Sequence, residues 1–413
     1  MKRLAYPTLS LLVLLVAAAL RFHDLPSRPF HHDEGVNGFF LQRLHDYGEY
    51  KYDPANYHGP TLYYLALPLT RVLGLRDEAL RGLSAIAGLA TVLIALSLRG
   101  ALGRTGALAA GALLAVSNCA VYYSRYFIHE SLVVVFGLAA AAAALRYLRT
   151  GHAAWVASCG LALGLLIATK ETTIVHAAVA VIAAGMAIAL RPGRALPRPS
   201  AVSWGTGAGV LLGVAAVFYS SFGQNPDGLK GALETLAIWA RTGREAHVNP
   251  WYQHALWLWE GDPALVVAGA LGLLLVLAPA VLAMPARFRA LRGGAPLVEA
   301  FPGRTAVALA LGTIGILCAY SLVAYKTPWL ALNVAVPLAL LGGVAVERIG
   351  ERSRVAAALL LAAALAFSLQ TTRVQSFERP ADETLPWAYA HTDPRYPDLV
   401  STIENFAARS GAG

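Results

Sequence analysis

The chain has 413 residues, 57% of them hydrophobic and only 14% charged, with a mean hydropathy of +0.55. Those values exclude a soluble globular domain, in which about a quarter of the residues carry charge. The net charge of +9 does not point to nucleic acid, because the basic residues stand in short loops between apolar runs, as the positive-inside rule describes for membrane proteins.

In chain order, about eleven runs approach the roughly 20 mostly apolar residues that a spanning helix needs. They lie near 4–20, 82–98, 105–122, 131–148, 153–169, 172–190, 202–222, 263–284, 305–324, 328–346 and 355–370. Their Leu, Ala, Val and Gly content predicts helices and not the weakly alternating strands of a barrel, so the expected fold is an all-α polytopic membrane bundle. The first run follows Lys2 and Arg3 and ends Ala-rich, which is also the shape of a secretory signal peptide. It is read as a retained anchor, and residue 21 onward lies outside on either reading. Cys119, Cys159 and Cys318 stand singly within runs, without metal or redox spacing, and read as small apolar filler.

The basic loops give each connection a side. Arg99 and Arg104, Arg146 and Arg149, RPGRALPRP (191–199), RFRALRGG (287–294) and ERIGERSR (347–354) are each separated from the next by two runs, which places them all on the cytoplasmic face. The other face receives the long connections 21–81 and 223–262 and most acidic residues. The expected organisation is a transmembrane domain over 1–370 and a short external tail over 371–413. In the first outer loop, TLYYLALPLTRVLGL (61–75) is too short and too close to Arg71 and Arg76 to cross, and predicts a helix in the interface. In the second, amphipathic GLKGALETLAIWARTG (228–243) precedes Trp251, Tyr252, Trp257 and Trp259. These aromatics read either as an interfacial belt or as a surface for a sugar or lipid chain.

Polar groups gather at the outer ends of the runs, in HHDE (31–34), YHGP (57–60), SRYFIHE (124–130), TKET (169–172) and YKTPW (325–329). Ionisable groups at membrane depth cost roughly 2.5–3.5 kcal/mol each and ordinarily face a cavity or a functional path. Snorkelling accounts for Lys170 or Lys326 alone, but not for Asp33, Glu34, Glu130 and Glu171 on the same side. A transporter would show repeated halves with charges near the midplane, whereas these charges sit at one face, as in a one-sided active site.

With HHDEGVNGFF, YDPANYHGP, SRYFIHE, ATKET, HVNPWY and YKTPWLALN in this order, the chain resembles the GT-C class of glycosyltransferases that use polyprenyl-phosphate sugars. Within that class it is similar to the dolichyl-phosphate-mannose protein mannosyltransferase type and its lipid A aminoarabinose transferase relatives. More narrowly, it is similar to a prokaryotic membrane family described as flippase-activity-associated, over residues 1 to 393. The resemblance implies an inverting, hexosyl- or mannosyl-transferase-like enzyme. Its donor would be a sugar on a dolichyl-phosphate-like polyprenyl lipid, and its acceptor an external protein, lipid or glycan.

A neutral hydroxyl is a poor nucleophile and needs a base. The resemblance assigns that role to Asp33 and makes Glu130 the second acidic residue, while Glu34 orients the loop or holds a cation with His31 and His32. The departing phosphate needs positive charge, for which Arg125, Lys170 and Lys326 are the candidates. Pro328 breaks the helix beside Lys326, and Trp329 is expected to anchor at the interface. Substrate contacts are expected from His58, Glu171, His247, Trp251, Tyr252 and Tyr325. Where relatives often carry an Asp or a D-x-D pair, this chain has a lone Glu130 after His129. A divalent metal (magnesium, manganese or zinc) would have Glu34, His129 and Glu130 as ligands, a set softer than magnesium prefers. The alternative class is a lipid-linked-oligosaccharide flippase, or a non-catalytic flippase partner that keeps such a cavity.

Overall fold

The structure, a computed structural model, describes residues 5–56, 58–190, 196–242, 247–282 and 301–410. The basic segments around Arg194 and Arg289 lie outside the described residues.

Helices account for almost all the regular structure. They are α1 (Ala5–Phe22), α2 (His32–Tyr47), α3 (Thr61–Leu73), α4 (Asp77–Ser97), α5 (Arg99–Leu102), α6 (Arg104–Val116), α7 (Asn118–Tyr123), α8 (Glu130–Thr150) and α9 (Ala154–Ile167). After these come α10 (Thr173–Leu190), α11 (Ala201–Tyr219), α12 (Gly228–Thr242), α13 (Gln253–Gly261), α14 (Pro263–Leu282), α15 (Phe301–Leu322), α16 (Leu332–Arg352), α17 (Arg354–Thr372) and α18 (Tyr396–Ser410). Among the described residues, 9 helical stretches are long and apolar enough to cross a membrane. The other two apolar runs give the shorter helices α6 and α9. The run behind α6 is interrupted because the Ser117 side chain accepts from the Ala120 N–H and caps a new helix, α7. At 1.5 Å per residue, α4 rises about 30 Å, the thickness of the hydrocarbon core.

Successive long helices alternate in direction, so the bundle has two chemically distinct ends. At one end Arg146 donates to Ser97 Oγ at 2.8 Å and the Gly106 N–H donates to Glu347 Oε2 at 2.6 Å. Helices α6 and α16 pack closely there, where Gly106 and Gly343 let the two backbones approach. At the other end lie α2, α3, α7, α12 and α13, with HHDE, TKET and YKTPW. Helix α3 starts beside α9 at this end, where Thr61 Oγ1 meets Thr169 Oγ1 at 2.7 Å. Leu9, Leu12, Leu15, Val181, Ile182, Val202 and Leu212 point outward from α1, α10 and α11, the arrangement that lipid permits and water does not.

The core centres on α16, whose Leu338, Leu341 and Val344 are buried against α6 and α14. Beyond α17, residues 379–393 form a strap across the acidic end. Trp387 anchors the strap, 2% exposed, against Gly261, where an added Cβ would lie 2.2 Å from the indole. Tyr122 donates to the Pro380 carbonyl at 2.8 Å, and Thr392 donates to the Phe30 carbonyl at 2.5 Å.

Candidate active site

The start of α2 is organised by neighbouring side chains with opposite fates. His31 caps the helix, accepting the Asp33 N–H on Nδ1 at 3.0 Å, and Glu34 accepts the His31 N–H at 3.2 Å. Consecutive residues on a helix point about 100° apart. Glu34 therefore turns inward and Asp33 outward. Glu34 is fully buried and saturated: besides His31 it accepts from Arg81 Nε and Nη2, both at 2.8 Å, and from the Phe127 N–H at 2.9 Å. Burial alone would raise its pKa, but the Arg81 charge and hydrogen bonds prevail and hold it down to about 2.

Asp33 lines a cavity of about 450 Å³ at the acidic end, within the size range of small-ligand sites. Its carboxylate is 40% exposed, lies 4.0 Å from His31 Nδ1 and has no hydrogen-bonding partner among the described residues. Across the cavity, Lys170 donates to Glu130 in a buried ion pair. Burial lowers the Lys170 pKa, yet Glu130 and Glu171 raise it above the ordinary lysine value. Glu171 accepts from His58 Nδ1 at 3.0 Å, and the charges of His58 and Lys170 outweigh burial to lower its pKa. His129 donates Nε2–H to the Gly59 carbonyl at 3.1 Å. Burial, with the nearby charges of His58 and Lys170, keeps it neutral, well below the usual histidine range. His247 and Tyr325 close the far wall, with the His247 ring edge-on to Tyr325 and its Nδ1 2.9 Å from the Tyr389 hydroxyl.

Several expected residues are placed elsewhere. Glu34 lies outside the cavity and has no free lone pair for a substrate or a cation other than Arg81. Arg125 is buried behind the site, donating to the carbonyls of Ser376 and Asp24, both at 2.6 Å, and to Ser27 Oγ. Lys326 is 1% exposed and donates to the carbonyls of Asn249 and Val323, clasping the antiparallel bridge between Val248 and Tyr325. Trp251 and Tyr252 are 72% and 47% exposed and do not line the cavity. Trp329 is no interfacial anchor but a buried part of the cavity wall. A metal does not fit Glu34, His129 and Glu130, because Arg81, Gly59 and Lys170 already engage them. Among the described residues no three His, Cys, Asp or Glu side chains converge as metal ligands.

The family profile described as dolichyl-phosphate-mannose-protein mannosyltransferase matches residues 57–220, a stretch that includes Glu130 and Lys170 but not Asp33. No curated protein matches the chain in sequence. Among solved structures, ArnT from Cupriavidus metallidurans in the apo state superimposes with a TM-score of 0.61 at 18% identity, covering 89% of this chain and 65% of that one. The same ArnT bound to undecaprenyl phosphate gives a TM-score of 0.59 at 18% identity, over 92% of this chain and 68% of that one. The Archaeoglobus fulgidus oligosaccharyltransferase, in complex with Zn and sulfate, gives 0.57 at 16% identity, over 96% and 55%. The chain has a GT-C type fold. It spans between 55% and 68% of the lengths of these relatives.

The cavity is also lined by Trp239, Tyr320, Trp329, Tyr389 and Ala390, none of which the sequence singled out as a substrate contact. Trp239 comes from amphipathic α12, whose periodicity is visible but whose packing partner is not. Tyr389 and Ala390 come from the strap, where Ala390 adopts φ +47°, a left-handed conformation uncommon outside glycine and asparagine. That kink brings Tyr389 to the cavity and His391 to the back of α2.

Proposed function

We propose that the protein is a membrane glycosyltransferase that moves a sugar from a polyprenyl-phosphate donor to a hydroxyl acceptor on the non-cytoplasmic side. The observation that carries this reading is Asp33: an unpaired carboxylate on the rim of the cavity, aimed by a neighbour that is itself locked. Asp33 takes the acceptor proton as the hydroxyl oxygen attacks the anomeric carbon from the face opposite the phosphate. The carbon–oxygen bond to the phosphate breaks, configuration inverts, and polyprenyl phosphate leaves. Lys170 is the cation lining the cavity that best fits stabilisation of the leaving phosphate, with Glu130 holding its ammonium in place. His58 and Glu171 shape the adjoining wall. The undecaprenyl phosphate bound by the similarly folded ArnT supports a donor of this lipid class. The basic residues clustered at the opposite end support an external site.

The test is Asp33→Asn in purified protein supplied with a panel of undecaprenyl-phosphate sugars and with undecaprenyl phosphate alone. Transfer should fall by at least about a thousandfold, in line with loss of a general base, while the lipid still binds. A folded Asp33→Asn variant that turns over at the wild-type rate would remove the base and the reading with it.

A further inference from the structure

A second cavity of about 450 Å³ lies between the loop that follows α1 and the strap, and it shares no lining residue with the cavity of Asp33. Pro26, Pro29, Pro380, Pro394 and Pro397 form much of its wall. Proline has no N–H, so the side chains of Ser27, Arg28 and Arg379 carry much of the cleft's capacity to donate. Arg28 is 5% exposed, its guanidinium 4.2 Å from the Tyr122 ring and its Nη2 donating to the Arg125 carbonyl at 3.0 Å. Among the described residues no carboxylate pairs with it. Its Nε is sealed without a partner; its Nη1 also makes no hydrogen bond but is not sealed, and the cleft is the cavity that Arg28 lines. Glu378 and Asp382 line the same cleft but are claimed by others: Arg373 donates to Glu378 at 2.7 Å, and Arg379 donates to Asp382.

The charge around Arg28 is therefore unbalanced. Arg28, Arg81 and Arg125 lie close enough to act on one another, and the carboxylate buried among them, Glu34, is held by Arg81. Burial and then the charges of Arg28 and Arg81 push Arg125 down to about 9, and Asp24 offsets only part of this. A buried cation without a counter-charge is costly, so a reachable guanidinium in such a group calls for an anion. The place of the cleft indicates which. Its residues follow closely on α1 and α17, helices that turn Leu12, Leu15, Leu359 and Phe367 outward, and the His23 and Phe377 rings tie the two helix ends together at 5.8 Å. That is the depth at which a bilayer presents its phosphates. We propose that this cleft binds a phosphate oxyanion, with Arg28 Nη1 donating from the floor and Arg379 and Ser27 Oγ donating from the rim. Guanidinium is well matched to phosphate oxygens, and Ser27 Oγ, which accepts from Arg125 at 3.1 Å, keeps its own proton to give. The phosphate is either the headgroup of a membrane lipid or free in solution. The site does not depend on the transferase reading.

The test uses the whole protein, purified in a non-ionic detergent and a phosphate-free buffer, with binding followed by titration calorimetry. Dioctanoyl phosphatidic acid and inorganic phosphate are the probes, and dioctanoylglycerol is the uncharged control. If the site takes a lipid headgroup, phosphatidic acid binds at least about tenfold more tightly than either of the others. If it takes free phosphate, inorganic phosphate binds as well as phosphatidic acid. In both cases Arg28→Gln should weaken the bound anion at least about tenfold, as expected for a charge-assisted hydrogen bond, and Arg379→Gln should weaken it by about threefold or more. Arg43→Gln, which removes an exposed charge outside the cleft, should leave it unchanged. Should Arg28→Gln not fold, the surface variant Arg379→Gln decides. Anions that bind no better than dioctanoylglycerol, cleft variants that bind like wild type, or an equal loss in Arg43→Gln would each overturn the proposal.

Discussion

The carboxylate of Glu34 and the guanidinium of Arg81 meet through two hydrogen bonds of 2.8 Å, both side chains fully buried, and this pair fixes the direction in which Asp33 points. Removing one partner leaves an uncompensated buried charge, at a cost of about 3–5 kcal/mol. Arg81→Met should therefore lower the thermal unfolding midpoint sharply, whereas Arg81→Met combined with Glu34→Leu should recover much of the loss. Equal midpoints for the single and double variants would show that the pair does not act as a unit.

The same pair sets an acid limit. Glu34 has its pKa lowered on folding from 4.5 to about 2, so its contribution is fully present above about pH 4.5 and is lost as pH falls toward 2. The wild type should lose stability over that window, and Glu34→Gln should show a flatter acid limb. Parallel pH profiles for the two proteins would count against this assignment.

Lys170 and Glu130 should separate stability from activity. Lys170→Met strands a buried carboxylate and should destabilise the fold by about 3–5 kcal/mol. Lys170→Met with Glu130→Gln should restore most of that loss without restoring transfer. Full activity in the refolded double variant would mean that another group meets the phosphate.

Lys326→Met tests a residue whose ammonium is held by backbone carbonyls. Undecaprenyl phosphate should bind within about twofold of wild type, because the lost hydrogen bonds, worth roughly 1.5–3 kcal/mol each for a charged donor, hold the 247–249 segment and not a ligand. The thermal midpoint should fall. A tenfold weaker lipid affinity at an unchanged midpoint would return Lys326 to the phosphate site.

Sidedness is checked with single cysteines in a chain whose Cys119, Cys159 and Cys318 are replaced by alanine. Tyr47, 75% exposed at the acidic end, and Thr150, exposed at the basic end, are the positions to compare. An impermeant thiol reagent should label Tyr47→Cys in intact cells and leave Thr150→Cys untouched. The opposite pattern would invert the topology.

The spanning bundle was legible because a lipid solvent leaves a strong record: long apolar runs, with basic residues collected in alternate loops. The site was legible in part, because charges at the ends of such runs are costly and therefore conspicuous. That signal could not distinguish Arg125 from Lys170. Both are basic residues near a helix end, and only the positions of the Asp24 and Ser376 carbonyls show that the first is engaged. Nor could it divide Asp33 from Glu34, since the partner that claims Glu34 stands at position 81, at the edge of an apolar run and far from Glu34 in sequence. The strap left almost no trace, because residues 379–393 have no periodicity and Trp387 is held by the space above one glycine, Gly261.

A cavity whose walls include both His31 and Tyr389 can be completed only after residue 389 has left the ribosome. The first helices must wait in the bilayer, with Asp33 facing an unfinished hollow, until Trp387 arrives to seat the last wall. Closure of that wall therefore waits on synthesis of the strap.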